Sequence, residues 1–356
     1  ESAGPTLSEY AGGWQGIASG DYPRFGRCFW ELPAITAGWL PQQSTVVSTT
    51  AYGGREHLLF WEDGYGAMTE VCQPHAPFRG RAAWGKLGIA VSQMRSLPCT
   101  LYTGELFDNN TAIILPKDPA HLPAIWAYCS SPEFARNVRA VDRTLKVTNA
   151  TLVKVPFDLE RWQRVADEAG PLPEPHSDDP TQWLFLGDPR TATAPLQVAV
   201  ARLLGYQWPQ AGPDALTPHA VPDGILPLVA VAGQAPGAER LRAFLAAAWG
   251  EDWSPATQAA LLAASGYGGK TLDAYLRDGF FQEHCRLFHN RPFIWHVWDG
   301  RPDGFSALVN YHRLDRPTLQ KLAHTYLGDW IVAQRQAAEA GQSGAEGRLV
   351  AAQALQ

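Results

Sequence analysis

The sequence predicts an α/β (α+β) domain built on a mixed, twisted sheet over residues 1–165, followed by a mainly α-helical domain over 237–356. Three observations predict it. From Trp84 to Met94, the apolar Leu87, Ile89 and Val91 alternate with small or polar residues, the period-2 pattern of a half-buried strand. From His121 the period changes, and Leu122, Ile125, Trp126 and Cys129 recur at the spacing of a helix face. Between the two halves, PLPEPHSDDP at 171–180 is proline-rich, acidic and without apolar periodicity, which reads as a linker.

Residues 1–11 read as a polar lead-in. Gly12, Gly13, Gly16 and Gly20 then frame a loop ending in Ser19-Gly20-Asp21, with Arg24, Phe25 and Arg27 just beyond. Glycines let a backbone approach a partner closely, and exposed N–H groups in such turns suit phosphate. A turn that simply packs Phe25 and Trp30 explains the same residues. Ser44–Thr50 is a strand-like run before a Gly53-Gly54 turn and the apolar Leu58–Trp61. Leu101 and Ile113-Ile114-Leu115 mark further strands, with Asp108-Asn109-Asn110 as turn residues and Pro116 closing the last. Ser131-Pro132 starts a second helix as cap and first position, carrying Arg136, Arg139 and Arg143 at a spacing that puts them on one face, with Lys146 following. A short helix follows over 158–168.

Residues 166–236 form a Pro/Gly-rich linker region, interrupted by order at Trp183–Phe185 and by a short helix from Leu196 to Leu204. Beyond it, Leu241, Phe244, Leu245, Ala248 and Trp249 form one helical stripe, Ser254-Pro255 opens the next helix, and Thr271 caps a third. Leu319, Leu322, Ala323, Tyr326, Leu327, Trp330 and Ile331 keep helical spacing over more than three turns, as a core-facing helix does. The aromatics of 288–312 are the kind that build a core rather than a base-stacking platform, and the Ala/Gln/Glu-rich tail after 336 reads as a truncated helix.

Charge narrows the classes of partner. A net charge of −6 excludes a generally basic nucleic-acid coat, so any contact with a polyanion must come from local clusters. One such cluster stands out. Between Glu70 and Glu105 there is no acidic residue, yet Arg79, Arg81, Lys86 and Arg95 all fall there. A sheet edge bearing cations, amides and hydroxyls, with no carboxylate to repel phosphate, can grip a nucleic-acid backbone and read base edges. A β-rich core with a solvated basic rim is the plainer account of the same pattern. The five scattered cysteines, odd in number and never arranged as CxxC, point to reduced thiols and a cytoplasmic protein. No apolar run reaches membrane-spanning length, and no basic-then-apolar segment opens the chain. The first residue is Glu1, from which a fragment of a longer protein is expected.

Chemistry-bearing sets are scarce. Glu62-Asp63 before Gly64, with His57 nearby, is turn chemistry rather than acid–base machinery. His284, Cys285 and His289 are close in sequence, but a five-residue offset puts the two histidines on different helix faces, so no metal site is expected. No Gly-x-Ser-x-Gly elbow and no nuclease carboxylate–lysine set is present.

Four blocks carry a resemblance. GGWQGIASGDYPRFGRCFWEL at 12–32, YGGREHLLFWEDG at 52–64, AWGKLGI at 83–89 and LFDNNTAIILP at 106–116 resemble, in the same order, the target-recognition half of large adenine-N6 DNA methyltransferases. These are the enzymes of the BREX and DISARM phage-defence systems and of fused restriction–modification proteins. The resemblance covers about residues 12–157, with Thr148-Asn149 and Val153–Pro156 similar to a short returning strand that closes such domains; 288–312 resembles a segment further downstream in DISARM-like members. It implies that this chain clamps double-stranded DNA while an upstream methyltransferase domain of the same protein flips and methylates adenine. It also places the Arg24–Arg27 loop beside that domain and the DNA.

Methylation itself needs a glycine-rich loop after a strand to approach S-adenosylmethionine, and an Asn/Asp-Pro-Pro-aromatic loop to hold the flipped base. Neither is found. Asn290-Arg291-Pro292-Phe293 has Arg where the first proline belongs, and Gly266-Tyr267-Gly268-Gly269 follows a helical run instead of a strand. No catalytic residue and no cofactor is therefore assigned to this chain, S-adenosylmethionine being expected in the parent protein. Phosphate contacts are expected from Arg24, Arg79, Arg81, Lys86, Arg95, Arg136, Arg139 and Arg143. Base-edge contacts are expected from Gln15, Ser92, Gln93, Asn109 and Asn110, because amides pair bidentately with adenine. Two other readings stand beside this one: a scaffold binding other defence-system subunits through its tryptophans, and a self-contained enzyme using Asn290–Phe293.

Overall fold

The fold is that of a computed structural model describing residues 4–356, and the chain divides into two units. One runs up to Ser177 and includes Gln182–Leu184; the other comprises Asp178–Thr181 and Phe185–Gln356. Of the expected polar lead-in, residues 1–3 lie outside the described residues, while Leu7 is buried in a helical turn, α1 (Leu7–Tyr10).

In the first unit α1 leads into β1 (Ala11–Gln15), and α2 (Tyr22–Phe25) leads into β2 (Gly26–Cys28). There follow β3 (Trp39–Gln43), β4 (His57–Phe60), β5 (Gly88–Ser92), β6 (Cys99–Tyr102), β7 (Leu106–Phe107) and β8 (Thr111–Pro116). They make two four-stranded sheets. The first, in the order β1-β8-β5-β6, is antiparallel throughout; the second, β2-β4-β3-β7, is mixed because β3 and β7 run parallel.

Alternation along β5 sorts its residues between two cores. Ile89 and Val91 join Ala112 and Ile114 against α3 (Leu122–Cys129), α4 (Pro132–Val141), α5 (Asn149–Leu152) and α6 (Leu159–Ala169), through Ile125, Phe134, Leu152 and Trp162 among others. Ala90 and Ile113 face the other way, onto Ala83, Tyr102 and Phe107. The expected half-buried strand is therefore buried on both faces. Its intervening residues are small because large aromatic rings close over them, and Leu87 lies exposed outside the strand. Nor is β5 an edge: β1 and β6 are.

Ser44–Thr50 is not a strand. Residues 44–56 instead run irregularly along the outer side of β6, where Thr50 N donates to the Cys99 carbonyl at 3.2 Å and Leu101 N to the Ala51 carbonyl at 3.0 Å. Its β-branched residues serve a covering loop, and Val47 is 94% exposed. Val153–Pro156 makes one isolated bridge, Thr6 with Pro156, rather than a returning strand. Helix α4 stops at Val141, so Arg143 lies beyond it and the three-arginine face does not form.

The second unit contains α7 (Pro195–Leu203), β9 (Ile225–Pro227), α8 (Gly237–Trp249) and α9 (Pro255–Ala264). Helix α10 (Leu272–Ala274) continues through a π-helical turn, Tyr275–Gly279, into α11 (Phe280–Leu287). A hairpin of β10 (Ile294–Trp298) and β11 (Ser306–Asn310) pairs with β9 in a small sheet. After it, α12 (Arg316–Gln320) passes through a second π segment, Lys321–Tyr326, into α13 (Leu327–Glu339), on which α14 (Ala345–Leu355) folds back. The tail after 336, expected as a truncated helix, is thus the last turn of α13 and the whole of α14.

Much of the expected linker, 185–236, is a structural part of this unit. Every residue of α7 from Leu196 to Leu203 is buried. Arg202 donates to both carboxylate oxygens of Asp214, and Asp223 accepts from Lys321 and from the Tyr326 hydroxyl. The aromatics of 288–312 divide: Phe288, Phe293 and Phe305 are core, whereas Trp295, Trp298 and Tyr311 are exposed.

Candidate nucleic-acid interface

The register of the first sheet brings three chain segments to one end. Gln15 of β1 pairs with Ala112 of β8, Ala112 with Val91 of β5, and Ser92 with Thr111. The end of β1, the turn before β8 and the end of β5 therefore lie side by side. In that turn Asp108 Oδ1 accepts from Asn110 N at 2.7 Å, the Asx geometry that lets an aspartate start a tight reversal.

Two cations brace this end. Lys146 Nζ donates to the Asn109 carbonyl at 2.7 Å and to Asn110 Oδ1 at 3.1 Å. Arg139 donates from Nη2 to the Arg95 carbonyl at 2.7 Å and from Nη1 to the Thr144 carbonyl. Arg95 holds a positive φ of 57°, so its carbonyl turns toward α4 while its own side chain stays exposed. A third element arrives through Gly80, also at positive φ. A Cβ there would lie 2.3 Å from the Phe107 ring and 2.8 Å from the Gln15 carbonyl, so glycine alone allows the Arg79–Arg81 turn to seat against the end of β1.

The expected contacts divide accordingly. Gln15, Arg81 and Arg95 are exposed on these segments, Arg143 is exposed just beyond α4 next to Thr144, and Arg79, Asn109 and Asn110 are half-buried there. Asn110 is braced by Lys146, and Arg139 is a strut between backbone carbonyls. Arg136 is exposed one turn back along α4. Ser92 and Gln93 cannot read bases, because both are buried. The Ser92 hydroxyl accepts from Val46 N at 2.8 Å, and Gln93 Nε2 donates to the Val147 carbonyl at 2.9 Å.

Lys86 sits beyond Gly88 at the opposite end of β5, a strand that spans roughly 13 Å from Gly88 to Ser92. Arg24 is apart as well, on α2, with Nη2 3.6 Å from the Glu70 carboxylate; Arg27 donates to its own turn at the Pro23 and Gly26 carbonyls. The end is not free of carboxyl groups either. Asp108 lies within it, and burial pushes its carboxyl above the ordinary range against the pull of its hydrogen bonds. Asp142, whose carboxyl Thr144 N–H and hydroxyl hold low, lies beside Arg139.

Two features of the first unit escape the sequence pattern. Trp14, next to Gln15, is 39% exposed on an edge strand. Arg55 is fully buried, donating to the Gly53 and Leu101 carbonyls and the Thr103 hydroxyl, with Nε 3.8 Å from Glu105. The Tyr52 and Trp183 rings flank its guanidinium. A local signal for Arg55 was the Gly-Gly turn that carries it, which lets backbone wrap a side chain closely.

Within the second unit, both ring nitrogens of His284 have partners: Gln197 Oε1 lies 3.0 Å from Nδ1, and Ile294 N donates to Nε2 at 3.2 Å. Asn290 and Phe293 belong to the turn that ends α11; Asn290 N donates to the Cys285 carbonyl, and Phe293 is buried against Tyr206. The Phe293 ring therefore offers no face to a base, which counts against a self-contained enzyme built on this turn. Among the described residues no group of three His, Cys, Asp or Glu is placed to hold a metal ion, and no helix is long and apolar enough to cross a membrane.

A segment of 57 residues is 42% identical to the adenine-specific methyltransferase PglX of Lacticaseibacillus casei (strain Zhang). It spans 16% of this chain and 5% of the length of that protein. No family model matches the chain.

Proposed function

We propose that the first unit is a DNA sequence-recognition portion of a site-specific adenine-N6 methyltransferase of a phage-defence or restriction–modification system. It positions duplex DNA for base flipping by a separate catalytic domain, to which S-adenosylmethionine binds. The observation that carries this reading is the single sheet end at which Gln15, the Asn109–Asn110 turn, Arg81 and Arg95 assemble, with Arg143 in the segment that Arg139 ties to it. Arginines so placed serve phosphates; Gln15 and Asn109 offer amides to base edges. Similarity to a methyltransferase supplies the enzyme context.

The test is binding of the intact chain to duplex DNA across a salt series. Affinity should fall steeply with salt, and each of Arg81→Glu, Arg95→Glu and Arg143→Glu should weaken binding and flatten the slope of log K against log salt by about 0.9 per lost phosphate contact. Lys86→Glu, at the far end of β5, should change it less. Salt-independent binding, or equal effects from all four variants, would overturn the assignment.

A further inference from the structure

The second unit holds a cleft of about 550 Å³, in the size range of small-ligand sites. One wall is the face of the β10–β11 hairpin. His296 and Trp298, two residues apart on β10, point the same way, their rings near-parallel at 18° and 6.0 Å between centroids. Ser306, opposite Trp298 in the register, lies 2.6 Å from His296 Nε2 and fixes the imidazole. Burial and the Arg277 charge lower the His296 pKa, so the ring stays neutral and stacks as an aromatic surface. Trp298 is 51% exposed.

The facing wall is the π-helical turn Tyr275–Gly279 with the start of α11, supplying Arg277, Asp278, Phe281 and Gln282. A π-turn has poorer geometry than an α-turn and recurs at functional sites, since the extra residue redirects side chains. Gly279 permits this one, because a Cβ there would lie 2.3 Å from the Tyr267 ring. The mouth is closed by the loop after β10. There Asp299 accepts from Arg301 N at 3.1 Å and Phe305 N at 2.8 Å, and Asp303 holds the Arg301 Nε at 3.0 Å. Arg277 is likewise anchored by Nε on Asp273 at 3.3 Å. A guanidinium has five donors, so each arginine keeps N–H groups for a ligand.

The cleft thus combines a stacked aromatic pair whose outer member, Trp298, is half exposed, two fixed guanidinium groups, and a carboxylate with an amide. A ligand that answers all three has a planar ring, an anionic group and ring-edge N–H donors. We infer that the cleft binds a nucleotide unit, with its base on the Trp298 ring that His296 backs, its N–H edge toward Asp278 and Gln282, and its phosphate on Arg277 and Arg301. The inference rests on the second unit alone and stands or falls independently of duplex binding by the first.

Calorimetric titration of the intact chain with AMP, adenosine, inorganic phosphate and a short single-stranded oligonucleotide tests it. AMP should bind more tightly than adenosine or phosphate. Trp298→Ala, a change at an exposed side chain with thermal melting as the check on folding, should lower AMP affinity about fivefold or more. Arg301→Gln should weaken AMP but leave adenosine unchanged. An oligonucleotide tighter than AMP would identify a nucleic-acid strand as the source of the unit, and one no tighter would identify free nucleotide. Absence of AMP binding, phosphate binding as tightly as AMP, or unchanged affinity in Trp298→Ala would overturn the proposal.

Discussion

Arg55 shows how much one side chain can organise. Its guanidinium ties the Gly53 turn to β6 through two carbonyls and a hydroxyl, and burial lowers its pKa although Glu105 pulls the other way. Arg55→Ala would remove the cation from beside the buried Leu101 carbonyl and from Glu105, a loss on the order of 3 kcal/mol in denaturant unfolding. Arg55→Lys should recover only part of it, since one ammonium cannot span the fork of acceptors. In sequence only the preceding Gly-Gly pair hints at its role, because its burial comes from residues far along the chain, Leu101 and Trp183 among them. His284 makes the corresponding point about pH. Burial holds its pKa down at about 3, against 6.5 for a free imidazole. Its neutral form is the one the fold accepts, so its contribution is complete above pH 6.5 and is lost as pH falls toward 3. Melting temperature should decline over that window, and the decline should be shallower in His284→Gln.

At the scale of elements, regular pieces were legible where periodicity and caps agree. The strand at Ile113–Leu115, the turn at Asp108–Asn110, the helix of Leu241–Ala248 and the caps at Ser254 and Thr271 all lie where pattern puts them. Elements misread from pattern are those whose identity is decided by a neighbour. Ser44–Thr50 has strand composition but becomes the cover of β6, and α4 ends before Arg143 as the chain turns through Asp142 and Thr144. The candidate interface was legible as a charge cluster only in part: the cations could be named, but sorting exposed ones from struts and buried amides required the register. Two glycines carry testable consequences. Gly13→Ala would bring a Cβ to 2.3 Å from the Asn149 carbonyl, prising β1 from α5. Gly80→Ala would meet Phe107 and Gln15 at an unfavourable φ. Each should cost about 1–3 kcal/mol of stability by denaturant melt, and Gly80→Ala should also weaken duplex binding by displacing Arg79 and Arg81.

Over the whole molecule, the five thiols and the two cores fit one picture of reactivity. Cys28, Cys99 and Cys129 are buried, and burial pushes Cys99 up to about 12 and Cys129 well above its ordinary value. Maleimide labelling of native protein read by mass spectrometry should therefore mark Cys72 and Cys285 first, with the other three reacting only on unfolding. The units meet between residues 177 and 185, and the order of 185–236 was not legible, since its glycines and prolines resemble those of a linker while the Asp223–Lys321 pair closes it over a long sequence distance. One last feature bears on how copies of the chain behave together. Both outer strands of the first sheet are occupied: the 49–53 loop lies along β6, and Asn149 Nδ2 donates to the Gly13 carbonyl on β1 at 2.7 Å. Edges covered in this way are poorer templates for a second polypeptide to lengthen the sheet, which works against fibrous self-association.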